Sequence, residues 1–486
     1  MSDTPAPTPS AKRGDLTSGP ILRTLLIFSI PTLASNLLQS LNGTVNAIWV
    51  GKLLGEEALA ATANANIILF LLAATVFGFG MAATVKIGQH FGGKRLEAAR
   101  RTMGTAVGFC GGVSLLTSAV GWSASPYLLS MMGTPGEAAD MANTYLRWIF
   151  VSTPPVMVFV MLSMGLRGAG DARTPLIFMG VVVALDIVLN PLLIAGFGPF
   201  PALGIAGSAI ATVTANLVGF VAMVAYIYAK DLPLRLRGKE LAWLKPQREE
   251  LGYIVTKGLP MGAQMMIMSA AGLIMIGLVN KEGLTYTAAY GAAMQLWTYV
   301  QMPAMAIGAA VSAMAAQAIG AGKWDRLEAT TRAGIMVNFV ITGALCVLLV
   351  VLDHWALGLF LPAGSQSIAI GEHLLLIGVW GFILFGATVV YFGTMRAGGA
   401  VVMPVVILVV ALYPARLGFY ELTYGWLGPD AIWWSFPVGS VVSAALAWIA
   451  YHRPGWREAA QAENDLEAAE QSGADAEPAG RFKPNL

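Results

Sequence analysis

Apolar residues are concentrated in twelve segments of the chain, which alternate with short polar connections. In order, the segments cover residues 21–49, 58–83, 102–122, 143–166, 174–195, 204–228, 252–279, 287–314, 332–352, 369–395, 401–423 and 431–451. Each is about 20 residues or longer, the length that an α-helix needs to cross the hydrocarbon core of a bilayer. The pattern predicts an all-α polytopic membrane protein with twelve transmembrane helices.

One connection is longer than the others and divides the segments into two groups of six. It is rich in Lys and Arg, and it predicts a linker between two lobes. The ends of the chain are polar: the start is rich in Pro, Ser and Thr without the apolar core of a signal peptide, and the end is acidic. The predicted parts are a disordered leader (1–20), an N-terminal lobe (21–229), a linker (230–250), a C-terminal lobe (251–452) and a disordered acidic tail (453–486).

The two lobes are copies of one another. Residues that match at a spacing of 228 to 231 include Pro31 with Pro260, Gln89-His-Phe-Gly92 with Gln317-Ala-Ile-Gly320, and Arg95-Leu-Glu-Ala98 with Arg326-Leu-Glu-Ala329. Such a repeat of six spans enters the membrane from the same side both times. The duplication therefore predicts two six-helix bundles related by a pseudo-two-fold axis along the membrane normal, with a substrate site between them.

Basic residues predict the orientation. The loops of one side carry Lys94, Arg95, Arg173 and the Lys and Arg residues of the linker, whereas the opposite side is mostly acidic. Because loops rich in Lys and Arg stay in the cytoplasm, both termini and the linker are expected there. The expected topology is that of a multi-pass membrane protein.

Composition narrows the class of protein further. Charged residues make up only 12% of the chain, against about 25% in soluble domains. Its two cysteines fall in apolar segments and its four histidines are scattered, which predicts neither a disulfide framework nor a metal site. No nucleotide-binding context or nucleophile–base pair appears, so no enzyme, cofactor or nucleic-acid partner is expected, and the protein is expected to be a monomer.

The residue that most demands an explanation is Asp186, in the fifth segment. A lone carboxylate within a span costs roughly 2.5–3.5 kcal/mol on insertion scales, and so predicts a functional site. Asn190 follows at i+4 on the same helix face, and Pro191 loosens the backbone beside both. Asp186 is therefore predicted to couple transport to an ion.

Polar side chains on spans 1 and 6 predict the neighbours of Asp186. On span 1, Gln39, Asn42 and Asn46 share one helix face, and Ser208, Thr212 and Asn216 do so on span 6. We expect Asn190, Asn46, Ser208 and Thr212 to share the ion-coupling site, and Gln39, Asn42 and Asn216 to line a substrate cavity. The alternative is that these amides and hydroxyls only bridge helices, for about 0.6 kcal/mol each.

The second lobe has no central acid, and its span 7 is rich in methionine. Gln264, Met265 and Met268 are the predicted contribution of this span to the substrate cavity, because flexible thioethers suit varied apolar cations. Gap-filling in helix packing is the alternative for any one Met. Pro31 and Pro260, at matching places in the two lobes, are predicted hinges. Arg416 in span 11 is expected near an interface or paired.

Three motifs resemble the multidrug and toxic compound extrusion (MATE) antiporters of bacteria, over roughly residues 20–452. They are Asn46-Ala-Ile-Trp-Val-Gly51 with the following Leu54-Gly55-Glu56-Glu57-Ala58, Gly165-Leu-Arg-Gly-Ala-Gly-Asp171 with Thr174-Pro175, and Leu189-Asn190-Pro191-Leu192 leading to Gly204-Ile-Ala-Gly207. The resemblance implies twelve helices in two lobes, a place in the bacterial inner membrane, and export of organic cations in exchange for protons or sodium. It is closest to the branch that couples through the N-terminal lobe. Two departures stand out: Asn46 occupies a position that usually holds Asp, and the usual order of Asn and Asp is reversed at Asp186 and Asn190.

The expected function is secondary active efflux of organic cations or drugs by alternating access, with one proton exchanged for each monovalent cation. Such exchange moves no net charge, and the pH gradient alone would drive it at about 1.4 kcal/mol per unit. Alternatives are sodium coupling through the same oxygen atoms, a flippase for lipid-linked glycans using Arg147 and Arg416, and an inactive or regulatory homologue.

Overall fold

The computed structural model describes residues 14–131, 136–196, 201–362 and 364–472. The first lobe consists of helices α1 (Ile21–Leu54), α2 (Glu56–Gly92), α3 (Leu96–Met131), α4 (Gly136–Gly168), α5 (Arg173–Ala195) and α6 (Ile205–Ala229). The second lobe consists of α7 (Arg248–Lys281), α8 (Leu284–Gly320), α9 (Trp324–Val351), α10 (Asp353–Gly358), α11 (Gln366–Gly378), α12 (Gly381–Ala397), α13 (Val402–Val410), α14 (Arg416–Leu427) and α15 (Asp430–His452). A last helix, α16 (Gly455–Ser472), follows the second lobe.

The helices account for all twelve predicted spans. Ten spans in the described part of the chain are long and apolar enough to cross a membrane, and the pair α11 and α12, bent by 46°, forms another. Helix α2 is 37 residues long and contains the apolar segment 58–83. The eleventh predicted segment is one span in which a π-helical turn, Ala411–Ala415, joins α13 to α14. The chain is thus a polytopic helical membrane protein with two six-span lobes.

Helix α5, which carries Asp186, has clear local reasons to start and stop where it does. The Asp171 carboxylate accepts hydrogen bonds from the backbone N–H groups of Arg173 and Thr174, both at 3.0 Å. These are donors that a helix start leaves without partners. At the other end, Gly196 adopts a left-handed φ of 74°, which glycine tolerates best and which ends the helix.

The linker crosses between the lobes at one end of the bundle, here named the linker end. It includes a 3-10 helix, Gly238–Leu244, that packs on α3 so closely that a Cβ on Gly108 would lie 1.7 Å from the Leu244 carbonyl oxygen. Arg100 of α3 donates to the Pro233 carbonyl at 2.8 Å. The linker is therefore fixed to the first lobe.

At the linker end the two lobes meet through one pair of equivalent contacts. Gln89 of α2 donates to the Ala397 carbonyl of the second lobe at 2.8 Å, and Gln317 of α8 donates to the Gly168 carbonyl of the first lobe at 3.1 Å. The two donors are equivalent positions of the duplication, and the two acceptors are separated by the same repeat spacing. The repeated Gln motifs therefore join the lobes across a pseudo-two-fold axis.

Glycines let the backbones approach at this junction. A Cβ on Gly92 would lie 2.0 Å from the Gln317 carbonyl oxygen, and one on Gly320 would lie 1.8 Å from that of Gln89. Further along α2, a Cβ on Gly78 would lie 2.4 Å from the Gly258 carbonyl oxygen. Since a close helix crossing requires small residues, these positions keep the lobes closed at the linker end.

The tail differs from its prediction. Residues 453–486 are predicted to be disordered, but residues 455–472 form α16; residues 473–486 lie outside the described residues. Glu467 pairs with Lys86 of α2 and with Arg95 at 2.8 Å, and Glu463 pairs with Lys86 at 2.9 Å. Glu463 and Glu467 share a helix face, so their charge is matched by the basic end of α2 instead of by water.

Helix α16 also contacts both lobes. Asn464 accepts from Arg95 of the first lobe at 2.9 Å and donates to the Ile319 carbonyl of the second at 3.1 Å. Arg457 pairs with Glu328 of α9. The tail therefore crosses the closed linker end and ties the lobes together there.

The leader differs from its prediction in the same way. Residues 1–13 lie outside the described residues, but residues 14–20 pack on the second lobe. The Leu16 N–H donates to Gln317 at 2.9 Å, and the Arg326 guanidinium donates to the carbonyls of Leu16, Ser18 and Gly19. Arg95 and Arg326, which match in the duplication, thus hold the tail and the leader respectively.

Candidate functional site

Asp186 is buried in the first lobe, with 1% of its surface exposed. Its Oδ1 accepts a hydrogen bond from the Thr212 hydroxyl of α6 at 2.9 Å and from the Asn190 amide, one turn further along α5, at 3.1 Å. The Asn42 side chain of α1 lies beside the same carboxylate. Three helices therefore meet at Asp186, as the polar stripes predict.

A second group of polar side chains centres on Asn46 of α1. Its Oδ1 accepts from the Ser208 hydroxyl of α6 at 2.9 Å, and its side chain lies beside Tyr145 of α4. Tyr145 is a site residue that sequence reasoning missed, because one tyrosine near the start of an apolar span has no neighbouring signal. Its position brings a fourth helix into the site.

Except for Asn190 and Ser208, these residues border a cavity of about 280 Å³, here named the N-lobe cavity. Its lining is polar on α1, α2, α4, α5 and α6: Asn42, Asn46, Thr62, Asn66, Tyr145, Ser152, Thr153, Asp186, Thr212 and Asn216. Asn216 also donates to the Thr212 carbonyl at 2.8 Å. The volume approaches the lower end of typical small-molecule pockets, about 300–1,000 Å³.

The electrostatics of the N-lobe cavity are set by one carboxylate among neutral donors. Every side chain that hydrogen-bonds to Asp186 is an amide or a hydroxyl. No basic side chain in the described part of the chain pairs with it. A buried carboxylate with this surrounding can exchange a proton or a bound cation, since nothing else neutralises it.

Two buried oxygen atoms beside Asp186 have no donor. They are the Oδ1 atoms of Asn42 and of Asn190, whose amide nitrogen donates to the carboxylate. Buried acceptors are normally paired. Together with Asp186 they form a small group of oxygens that could receive a cation or a proton donor.

The second lobe contains a cavity of about 210 Å³, here named the C-lobe cavity. Methionine and aromatic side chains dominate it, including Met268, Met294, Tyr290, Trp297, Phe382, Phe385 and Phe436. Its charged group is Arg416, whose Cζ lies 3.5 Å from the centre of the Phe436 ring. Arg416 is buried in this cavity and no described carboxylate pairs with it, so the pairing that the sequence suggested as one possibility is absent from the described residues, while a position near an interface stays a prediction.

The structure does not bring all predicted cavity residues together. Met268 lines the C-lobe cavity, but Gln264 and Met265 are not among the described residues that line either cavity, and Gln39 is exposed. Gln264 is buried with an unpaired Nε2. The predicted single cavity is thus two separate ones, with Gln39, Gln264 and Met265 outside both.

The predicted hinges lie within uninterrupted helices. Helix α1 runs continuously through Pro31, and α7 does so through Pro260. Breaks occur in the second lobe instead, at the bend between α11 and α12 and at the π-helical turn that contains Pro414 and precedes Arg416. That turn had one available signal, the proline within an apolar segment.

Comparison with known proteins identifies the duplicated unit. The family described as MatE matches this chain twice, over residues 31–192 and 260–419. The two matches begin at the equivalent prolines Pro31 and Pro260, in the register that the sequence predicts. Among described residues, no group of His, Cys, Asp and Glu could hold a metal ion.

Relatives match nearly the whole chain. A probable multidrug resistance protein of Bacillus subtilis, YoeA, is 34% identical over 440 residues, which are 90% of this chain and 95% of the relative. Another from that organism, YpnP, is 28% identical and covers 92% of this chain and 98% of its own. A solved structure of a multidrug resistance MATE family transporter of the MOP superfamily, in an outward-facing conformation, aligns with a TM-score of 0.81 at 21% identity, over 93% of this chain and 99% of the other. Both repeats, the fold and the full-length relatives agree: this chain belongs to the MatE family of multidrug and toxic compound extrusion transporters.

Proposed function

We propose that the protein is a secondary active antiporter that exports organic cations in exchange for protons. The observation that carries the proposal is Asp186, a buried carboxylate without a basic partner that lines a cavity inside the membrane. Its relatives YoeA and YpnP are described as probable multidrug resistance proteins, which supports drug-like cations as substrates.

The hydrogen bonds around Asp186 suggest how a proton and a cation would compete. The ionised carboxylate accepts from Thr212 and Asn190, and it attracts a cation to the cavity. A proton on the carboxylate removes the charge and replaces an acceptor by a donor. The unpaired Asn42 Oδ1 or Asn190 Oδ1 could then accept that proton's hydrogen bond, and the organic cation would lose its counter-charge and leave.

The distribution of basic residues supports an orientation in the bacterial plasma membrane with the linker end in the cytoplasm. The contacts of Gln89 and Gln317 close that end. On this proposal, the cavities do not open to the cytoplasm in this state. Export would require the linker end to open, in the rocking motion typical of parallel repeats.

Sodium is the second candidate for the coupling ion, and one observation favours it. The Asn42 and Asn190 oxygens lack donors beside the Asp186 carboxylate, which gives one charged and two neutral oxygen atoms. Hard cations prefer such oxygen ligands. Proton and sodium coupling differ in which gradient drives transport.

The test is export of a fluorescent organic cation by proteoliposomes, with a pH gradient and a sodium gradient imposed separately. We expect the pH gradient alone to drive transport in the wild type, and Asp186→Asn to reduce it to background. The exposed acid variant Asp140→Asn serves as a control and should transport normally. Transport driven only by a sodium gradient would mean that sodium, and not the proton, is the coupling ion. Full activity of Asp186→Asn would refute the role of Asp186 in coupling.

A further inference from the structure

The C-lobe cavity contains a concentration of hydrogen-bond donors that no protein group satisfies. Nε and Nη2 of Arg416, the Tyr290 hydroxyl and the Trp297 indole N–H are all buried without a partner. All three residues line the same cavity. The nearest acid along α14, Glu421, is exposed at the surface.

An unpaired guanidinium in this position is unfavourable by itself. Arg416 is 8% exposed, and the rings around it offer only the cation–π contact with Phe436. Buried charges in proteins are normally paired, and buried donors normally have acceptors. Three residues with orphan donors around one cavity therefore point to a ligand that brings acceptors and a negative charge.

The aromatic rings define the rest of that ligand. Trp297 lies 5.0 Å from Phe436 and 5.5 Å from Phe382 between ring centres, and Tyr290 lies 6.1 Å from Phe436. Such rings favour a planar apolar body, by stacking or edge contacts. Met268 and Met294 can adapt to its outline.

We propose that the C-lobe cavity is a binding site for a small aromatic anion, with a carboxylate or phosphate held by Arg416. The planar guanidinium offers the paired donors that such groups accept best. Tyr290 and Trp297 donate to the same group or beside it. The site adds an anionic class of ligand to the organic cations of the proposed function, and it does not depend on Asp186.

The test is calorimetric titration of the purified protein in phosphatidylcholine nanodiscs with 2-naphthoate and with neutral 2-naphthamide. The two probes share a ring system and differ in charge. We expect naphthoate to bind at least roughly tenfold more tightly, and Arg416→Gln to weaken it by about 10- to 100-fold while leaving naphthamide unchanged. Arg416→Lys, which keeps the charge without the paired donors, should lie between, and Tyr290→Phe should weaken naphthoate by several-fold.

Arg147→Gln in the first lobe is the matched control, because Arg147 does not line the C-lobe cavity. Equal affinity for the two probes, or unchanged naphthoate binding in a folded Arg416→Gln or Arg416→Lys protein, would overturn the proposal. A repeat in phosphatidylglycerol nanodiscs separates two sources of anion. Competition there supports the anion site and identifies a lipid phosphate as an occupant, whereas equal binding in both lipids supports a free aromatic anion. Asp186→Asn should bind naphthoate normally, so failure of the transport assignment would leave this result intact.

Discussion

The two lobes are copies of one sequence unit, yet their cavities carry opposite charges. Arg416 in the C-lobe cavity lies within one residue of the position that corresponds to Asp186 in the N-lobe cavity, because Asp186 and Arg416 are 230 residues apart and the nearby pair Gly168 and Ala397 is 229 apart. The carboxylate has amide and hydroxyl neighbours, whereas the guanidinium has aromatic ones. The same helical frame therefore supports two kinds of binding chemistry.

The junction between the lobes shows the opposite behaviour. Gln89 and Gln317, with their acceptors Ala397 and Gly168, have kept the same contacts in both copies. Closure of the linker end needs both lobes to fit one another, so a change in one copy would have to be matched in the other. The cavities are internal to each lobe, and their linings can diverge independently.

The most direct way to break this comparison is to neutralise each charge in turn. Asp186→Asn should lower cation export in a pH gradient by about 100-fold, because it removes the ionisable group of the cavity. Arg416→Gln should leave cation export within about twofold, since a neutral amide repels no cation. Initial rates in proteoliposomes measure both. Loss of cation export in a folded Arg416→Gln protein would show that the two cavities act as one.

A second carboxylate in the N-lobe cavity should change the charge that is moved. In Asn46→Asp, the new carboxylate at position 46 can still accept the hydrogen bond from the Ser208 hydroxyl. Two protons exchanged for one monovalent cation would move one net charge inward, so a potential of 100 mV, inside negative, would add about 2.3 kcal/mol of driving force. The wild type should show no potential-driven export without a pH gradient. A variant that stays insensitive to potential would contradict the one-carboxylate exchange.

The hydroxyl that supports Asp186 should matter less than Asp186 itself. Thr212→Val keeps the side-chain shape but removes the hydroxyl that donates to the Asp186 carboxylate at 2.9 Å. The loss of a hydrogen bond to a charged group costs roughly 1.5–3 kcal/mol. We expect export to slow by roughly tenfold, and Thr212→Ser, which retains the hydroxyl, to restore most of the rate. Equal rates for the Val and Ser variants would mean that the hydroxyl only fills space.

The smallest expected effect concerns the shared closed end. A Cβ on Gly78 would lie 2.4 Å from the Gly262 nitrogen, so Gly78→Ala should disfavour closure by about 1 kcal/mol. Spin labels on Cys substituted for Glu97 and Asp325, with Cys110 and Cys346 replaced by Ala, should report longer distances between the lobes. Gly112→Ala, at a position with open space around it, is the control. An unchanged distance distribution in Gly78→Ala would mean that the helices shift to accommodate the methyl group.

Much of the fold could be predicted because its signals are local. Span length fixes the twelve transmembrane segments, and a constant spacing shows the duplication. The neighbours of Asp186 could also be predicted, because Asn190 follows at i+4 and because Thr212 and Asn46 lie on polar stripes of helical period. Tyr145 could not be predicted in this way, because its place beside Asn46 depends on how α4 packs on α2 and α6.

The sequence alone therefore predicts twelve spans, two repeats and one costly carboxylate in the first repeat. Which charged side chains have a partner of opposite charge depends on the tertiary structure. Glu463 and Glu467 look like solvated tail residues until α2, far away in the first lobe, supplies Lys86. The sequence offers pairing as one expectation for Arg416, whereas in the structure its neighbours are aromatic and two of its nitrogens have no partner. The physical reason is that charge pairing depends on which side chains are close in space, and no local period of the chain encodes that.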